Sequence, residues 1–446
     1  MLGVGRTGPL SDPGTAPPDL GAPLVRQPDA DPNHVVREGR PRPPGRREHP
    51  VASTQDSSER QAWAVLVSAH GLGPVGFSAL ISRFGSAQAV LALARTPGGP
   101  AELARQPTSD DPAASRRWLI GAGVAASIAG VAGRFQEIVD RLTALDLAIV
   151  TLDDADYPSR LLAVELPPPV LFVRGATAAL SAPHAVAVVG TRRPTEAGRR
   201  VASRIAAAVS RSGSVVISGL AIGIDGAAHA AAVGERAPTV AVLGGGHAQL
   251  SPRAHGRLAD AIVATGGAVV AELPPDTSPT PGMFPRRNRL ISGLADAAIV
   301  VEAGLRSGAL ITAGWALEQG RECFLVPGPI DAPMSAGCLR FLWSYPAQAR
   351  IVAGIPELLA DLGLDRDQLD ERVAAAGVVQ ANLGSVERAL IERLLPGAAT
   401  VDELVGACRL PVATVLGGLT LLEMRGLVSG AYGRYHVSGH LAEARR

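Results

Sequence analysis

The 446-residue chain contains no lysine, and all 42 of its basic side chains are arginine. That absence removes Schiff-base catalysis and the phosphate-gripping lysine of a P-loop from consideration. A GC-rich coding sequence is its simplest origin. Cysteine is nearly as scarce. Cys323, Cys338 and Cys408 are scattered, with no CxxC pair and no clustered histidine. Neither structural zinc nor a disulfide framework is expected, no cofactor is expected, and a reducing cytoplasm suits the chain. Aromatic residues make up 3% of the sequence, so stacking platforms are few. No apolar run reaches the length of a membrane span, and the N-terminus shows no secretory h-region, so no membrane association is expected. With a net charge of +1, any positively charged site must be local.

What remains is 47% apolar and long enough for two or three domains. Residues 1–57 are rich in Pro, Gly, Arg and Asp without hydrophobic period and read as a disordered tail. A helical domain is expected over 58–147. Its opening, "AWAVLVSAHGLGPVGFSALISRFGS", reads as two short helices joined by a glycine hairpin, either a helix-hairpin-helix or a sterile-alpha-motif-like (SAM) packing module. Over 148–365 the pattern changes. "VAVVG", "VVISG", "TVAVLG", "AVVAE", "AIVVEA" and "CFLVPG" are continuous apolar runs separated by Ala-rich helical stretches, which predicts a doubly wound, Rossmann-like parallel sheet of α/β class. "LAIVTLDD" and "VLFVRG" add peripheral strands. Residues 366–382 read as a linker, and 383–440 as a winged helix-turn-helix.

In such a sheet ligands bind beyond the carboxyl ends of the strands. The loops leaving those ends are "GTRRPTEAG", "SGLAIGID", "GGG", "FPRRNR" and "EAGLRSG", all of which are expected to line one rim. Glycines let a ligand approach the backbone closely, and helices beginning near Gly223 and Ser307 aim their positive ends inward. Arginine suits bidentate phosphate contact. The rim is built for several phosphates, with Arg286, Arg287 and Arg289 facing a polyanion. A dinucleotide is a poor fit, because the first loop lacks GxGxxG and carries two bulky arginines. Asp225, Glu272 and Glu302 also lie on the rim. Asp225 reads as a helix cap, Glu302 as a partner of a rim arginine, and His229 as a packed histidine in an Ala-rich helix.

These motifs, in this order and spacing, resemble the DNA-processing protein A family (DprA, also called Smf), over roughly residues 58–440. The resemblance implies a non-enzymatic single-stranded DNA-binding protein. It would protect incoming DNA, work as a homodimer and load the RecA recombinase in natural transformation. It carries a DNA-binding role to Gly190, Thr191 and Arg192 of "GTR" and to Ser218, Gly219, Gly223 and Asp225 of "SGLAIGID". The same role passes to Gly244 and Gly246, to Phe284, Arg287, Asn288 and Arg289 of "FPRRNR", and to Ser307 and Gly308. The chain departs from the family pattern at Ser251 and His255, where a tyrosine and an asparagine are usual, in "AELPP", and in "GCLRFLWSYPAQAR". The alternative function is a Rossmann-like phosphoribohydrolase acting on nucleoside monophosphates. Its signature glutamate has no counterpart in "GLRSGALITAGW". In the winged module, the second helix offers base edges only Thr414 and Thr420, so protein contact is the favoured role.

Overall fold

The computed structural model describes residues 57–105, 120–364, 384–394, 399–425, 427–431 and 434–437. The expected N-terminal tail up to residue 56, and the 366–382 linker, lie outside them.

Nine strands form one mixed sheet: β1 (Ala148–Thr151), β2 (Val170–Gly175), β3 (Ala185–Gly190), β4 (Val215–Ser218), β5 (Thr239–Val242), β6 (Ala268–Ala271), β7 (Ala297–Val301), β8 (Glu322–Leu325) and β9 (Ala349–Ile351). Their order is β1-β2-β6-β5-β4-β3-β7-β8-β9. The run from β6 to β9 is parallel, and β1 and β2 join it antiparallel as a peripheral pair. The apolar runs are continuous because both faces are covered. Along β3, Val186 and Val188 enter the core beneath the Glu196–Arg211 and Ile224–Gly234 helices, while Ala185, Ala187 and Val189 enter the opposite core. The three-residue β9 was not expected from sequence, being too short to show a period.

Among the described residues, six helices precede the sheet, from Ser57–Val67 to Phe135–Ala144. Trp63 and Phe77 pack with ring centroids 4.8 Å apart in their core. Val170 and Phe172 of β2 close that core, whereas Leu171 and Val173 point into the sheet's own, so one strand serves two cores by its period of two. At the C-terminus, helices Ser385–Leu394, Val401–Cys408 and Val412–Met424 enclose a separate apolar cluster with β10 (Ala399–Thr400), β11 (Val428–Ala431) and β12 (Arg434–Val437). A capping box between Thr400 and Glu403 starts the second of these helices. Together these elements form a winged helix. Among the described residues no single helix is long and apolar enough to cross a membrane.

Sheet order reverses between β3 and β7, the place where an open α/β sheet leaves a crevice. One local expectation fails there. "FPRRNR" is not a loop but the first turns of the Met283–Gly293 helix, whose apolar positions pack into the sheet core. A helix turns successive residues by about 100°, so its arginines cannot all face one ligand.

Candidate functional site

A cleft of about 650 Å³ opens over the carboxyl ends of β3 and β7, where Gly190 pairs with Val301 in parallel register. Four arginines line it: Arg192 and Arg193 from the loop after β3, Arg306 from the loop after β7, and Arg287 from the Met283–Gly293 helix. Among the described residues the lining contains a single carboxylate, Asp225. Phe284 stands among the charges, with its ring centroid 5.3 Å from the Arg192 guanidinium carbon and 6.0 Å from that of Arg287. Each cation therefore meets the ring within cation–π range. Ser307 caps the Gly308–Glu318 helix at the same opening, accepting a bond from the Ala309 N–H.

The arginines differ in how they are held. Arg287 is 7% exposed and donates through Nη1 to the carbonyls of Gly219, at 2.9 Å, and Val242. Burial pulls its pKa down to about 10, Asp225 pulls the other way, and Arg192 adds repulsion. It stays protonated at neutral pH. Arg192, Arg193 and Arg306 are exposed and, among the described residues, have no ion-pair partner. The cleft thus offers one fixed charge below and three free ones above.

The three rim carboxylates are engaged in structure. Asp225 is 6% exposed and accepts from the Gly219 N–H at 3.1 Å; burial pushes its pKa up, while Arg287 and the N–H groups of Ala221, Gly219 and Gly190 oppose that push. It holds the loop before its helix, and the cap position itself belongs to Gly223. Glu302 does not pair with an arginine. It accepts from the N–H and hydroxyl of Thr195, fixing the start of the Glu196–Arg211 helix. Glu272 pairs with Arg289. His229 is buried and bonded through Nδ1 to Thr239, and burial lowers its pKa to about 3, so it is a packed neutral histidine.

Of the residues singled out from sequence, Gly190, Thr191, Arg192, Asp225, Phe284, Arg287, Asn288, Ser307 and Gly308 meet at the cleft. Asn288 ties it together by donating to the Gly308 carbonyl at 3.0 Å. The others do not line it. Arg289 is turned away into its buried ion pair with Glu272, and Arg286, though exposed, lies outside the lining. Ser218 is buried, donating to the Val188 carbonyl at 2.7 Å. The remaining four are glycines that let others approach. At Gly219 a Cβ would sit 2.7 Å from Arg287 Nη2 and 2.8 Å from Asp225 Oδ2, so this position keeps the two charged groups facing each other. Gly223 has φ +96° and no room beside the Thr191 carbonyl. Gly244 underlies the Phe284 ring, and Gly246 lies against the Pro274 and Pro275 carbonyls. Sequence reasoning placed Arg193 and Arg306 in the rim loops but left them out of the residues singled out for binding, and both line the cleft. It also passed over Met334, whose sulfur accepts from the Thr191 hydroxyl at 3.6 Å, because it comes from a distant loop without a motif.

Comparison with known proteins places this geometry in context. Residues 148–363 match the family model of DNA recombination-mediator protein A, and residues 374–434 match the DprA winged helix domain. A DprA protein of Mycobacterium tuberculosis is 42% identical over 258 residues, covering 57% of this chain and 65% of the relative's own length. Protein Smf of Escherichia coli is 37% identical over 289 residues, covering 64% of this chain and 76% of the relative. Among solved structures, DprA of Streptococcus pneumoniae superposes with a TM-score of 0.51 at 28% identity, covering 67% of this chain and 97% of that one.

Proposed function

This chain belongs to the DprA/Smf family, and from that premise we propose that it binds single-stranded DNA in the cleft between β3 and β7. The carrying observation is the convergence of Arg192, Arg193, Arg287 and Arg306 on the cleft that holds Phe284, with the one carboxylate lining it among the described residues buried and bonded. Three free guanidiniums above one anchored guanidinium match a chain of phosphates better than a single one. One aromatic ring gives a base somewhere to stack without reading its identity. The protein then acts by binding and not by breaking bonds. The carboxylate nearest the arginines is immobilised by backbone N–H groups, which leaves it unsuited to proton transfer.

In the same reading the protein works in the cytoplasm as a homodimer that shields incoming single strands and hands them to RecA during transformation and recombination. Family membership supports this step, and size-exclusion chromatography with and without RecA tests it. The winged helix meets a protein in this account. Val412, Leu416, Leu421 and Met424 of its Val412–Met424 helix are exposed and apolar, where a base-reading helix carries polar side chains. For the cleft, the test is an anisotropy titration of unstructured oligonucleotide against salt. A salt-independent affinity overturns the proposal.

A further inference from the structure

The chain carries a second hollow beside the cleft. It has a volume of about 400 Å³ and is lined by Gln249, Ser251, Arg253, Ser278 and Pro279, among others. Its two walls are the segment after β5 and the segment after β6. They are pinned together by backbone bonds from Gly246 N to the Thr277 carbonyl and from Ala248 N to the Pro275 carbonyl, both 2.9 Å. Gly246 makes this possible, because a Cβ there would lie 2.1 Å from the Pro274 carbonyl oxygen. The hollow is therefore braced, not a gap between loose loops.

Its charge is of one sign. Arg253 is exposed and has no ion-pair partner among the described residues. The carboxylates on the two walls are both taken, Asp276 by Arg141 at 2.8 Å and Glu272 by Arg289. The other polar residues of its lining, Gln249, Ser251 and Ser278, are uncharged hydrogen-bonding side chains. That set recognises an oxyanion joined to polar, uncharged groups.

The hollow adjoins the cleft along one short piece of chain. Pro279 lines the second hollow and Pro281 lines the cleft, and two residues span at most about 7 Å. Pro279 is also packed against Gly245, close to the Gly244 that backs Phe284. The Pro279–Pro281 piece of chain therefore joins the two hollows.

We propose that this hollow is a second subsite for the same single strand, with Arg253 gripping a phosphate and the polar wall receiving the attached sugar or base. It rests on the single-strand reading of the cleft. The test compares the wild-type chain with Arg253→Ala, Ser278→Glu and Arg192→Ala, titrating each with oligothymidylates of about 4 to 16 nucleotides. Arg253→Ala and Ser278→Glu should weaken the longer oligonucleotides about five- to tenfold and flatten their salt slope by about 0.7, leaving the shortest unchanged. Arg192→Ala should weaken every length. Equal loss at all lengths for Arg253→Ala, or no loss at any length, overturns the subsite while the cleft reading stands. A wild-type chain that binds no length overturns both.

Discussion

Replacing Arg192 with alanine separates a phosphate-gripping cleft from a merely basic surface. Arg192 is exposed, unpaired and within 5.3 Å of the Phe284 ring, so its removal disturbs no internal hydrogen bond or ion pair. Four arginine contacts to a single strand give a log–log salt slope of about −3, so raising salt from about 50 to 200 mM weakens binding roughly fiftyfold. Without Arg192 the slope should fall to about −2, with an affinity loss of about eightfold at the lower salt and threefold at the higher. Removing the Arg192 charge also relieves some repulsion on Arg287, so the buried arginine's pKa should rise above about 10. Fluorescence anisotropy on matched single-stranded and duplex oligonucleotides reads both quantities. An unchanged slope refutes the reasoning, and so does an equal loss on duplex, because the cleft would then be reading charge density alone.

Other residues should respond in distinguishable ways. Phe284→Ala should cost about 1–3 kcal/mol of single-strand affinity with little change in salt slope, measured in the same titration. Arg289→Met should leave the slope intact but lower stability by about 3–5 kcal/mol in denaturant unfolding, since Glu272 would stay buried without its partner. Adding Glu272→Gln should recover much of that loss. Acid should destabilise the fold through His229, whose folded pKa of about 3 lies below its unfolded value near 6.5. Its stabilising contribution is complete above pH 6.5 and is lost as pH falls toward 3, by about 2 kcal/mol between pH 6.5 and 5. His247, lowered to about 4, acts in the same direction. Denaturant midpoints over that interval should fall with acid, and His229→Gln should roughly halve the dependence.

The sheet was legible because its strands are covered on both faces and so stand out as unbroken apolar runs, and the winged helix because its helix, turn, helix and wing follow one another within a short stretch of chain. The cleft was legible as a place, since the strand order and the glycine loops define it. Individual side-chain directions were not. Sequence alone could not separate Arg287 from Arg289, because both lie in one motif and only the helical turn of the backbone sends one to the cleft and the other to Glu272. Nor could it separate glycines that touch a ligand from glycines that make room for an arginine, as Gly219 does for Arg287. Met334 had no motif to betray it, for its place in the lining depends on a loop returning from beyond β8.

The missing lysines acquire a physical meaning at Arg287. A cation buried beneath the cleft must survive its surroundings, where burial and the repulsion of Arg192, opposed by Asp225, bring its pKa from 12.5 down to about 10 and still leave it charged at neutral pH. The same loss applied to a lysine, which starts near 10.4, would leave a pKa of about 8 and a partly neutral amine. Lysine would also lose the planar group whose Nε donates to Asn288 while Nη1 donates to the Gly219 and Val242 carbonyls. Genome composition suffices to explain arginine across the surface, where either base would remain protonated. Under the cleft floor arginine is the side chain that keeps its charge while its donors remain satisfied. A permanent cation held there strengthens the attraction for phosphate without a mobile side chain having to be ordered when the strand arrives.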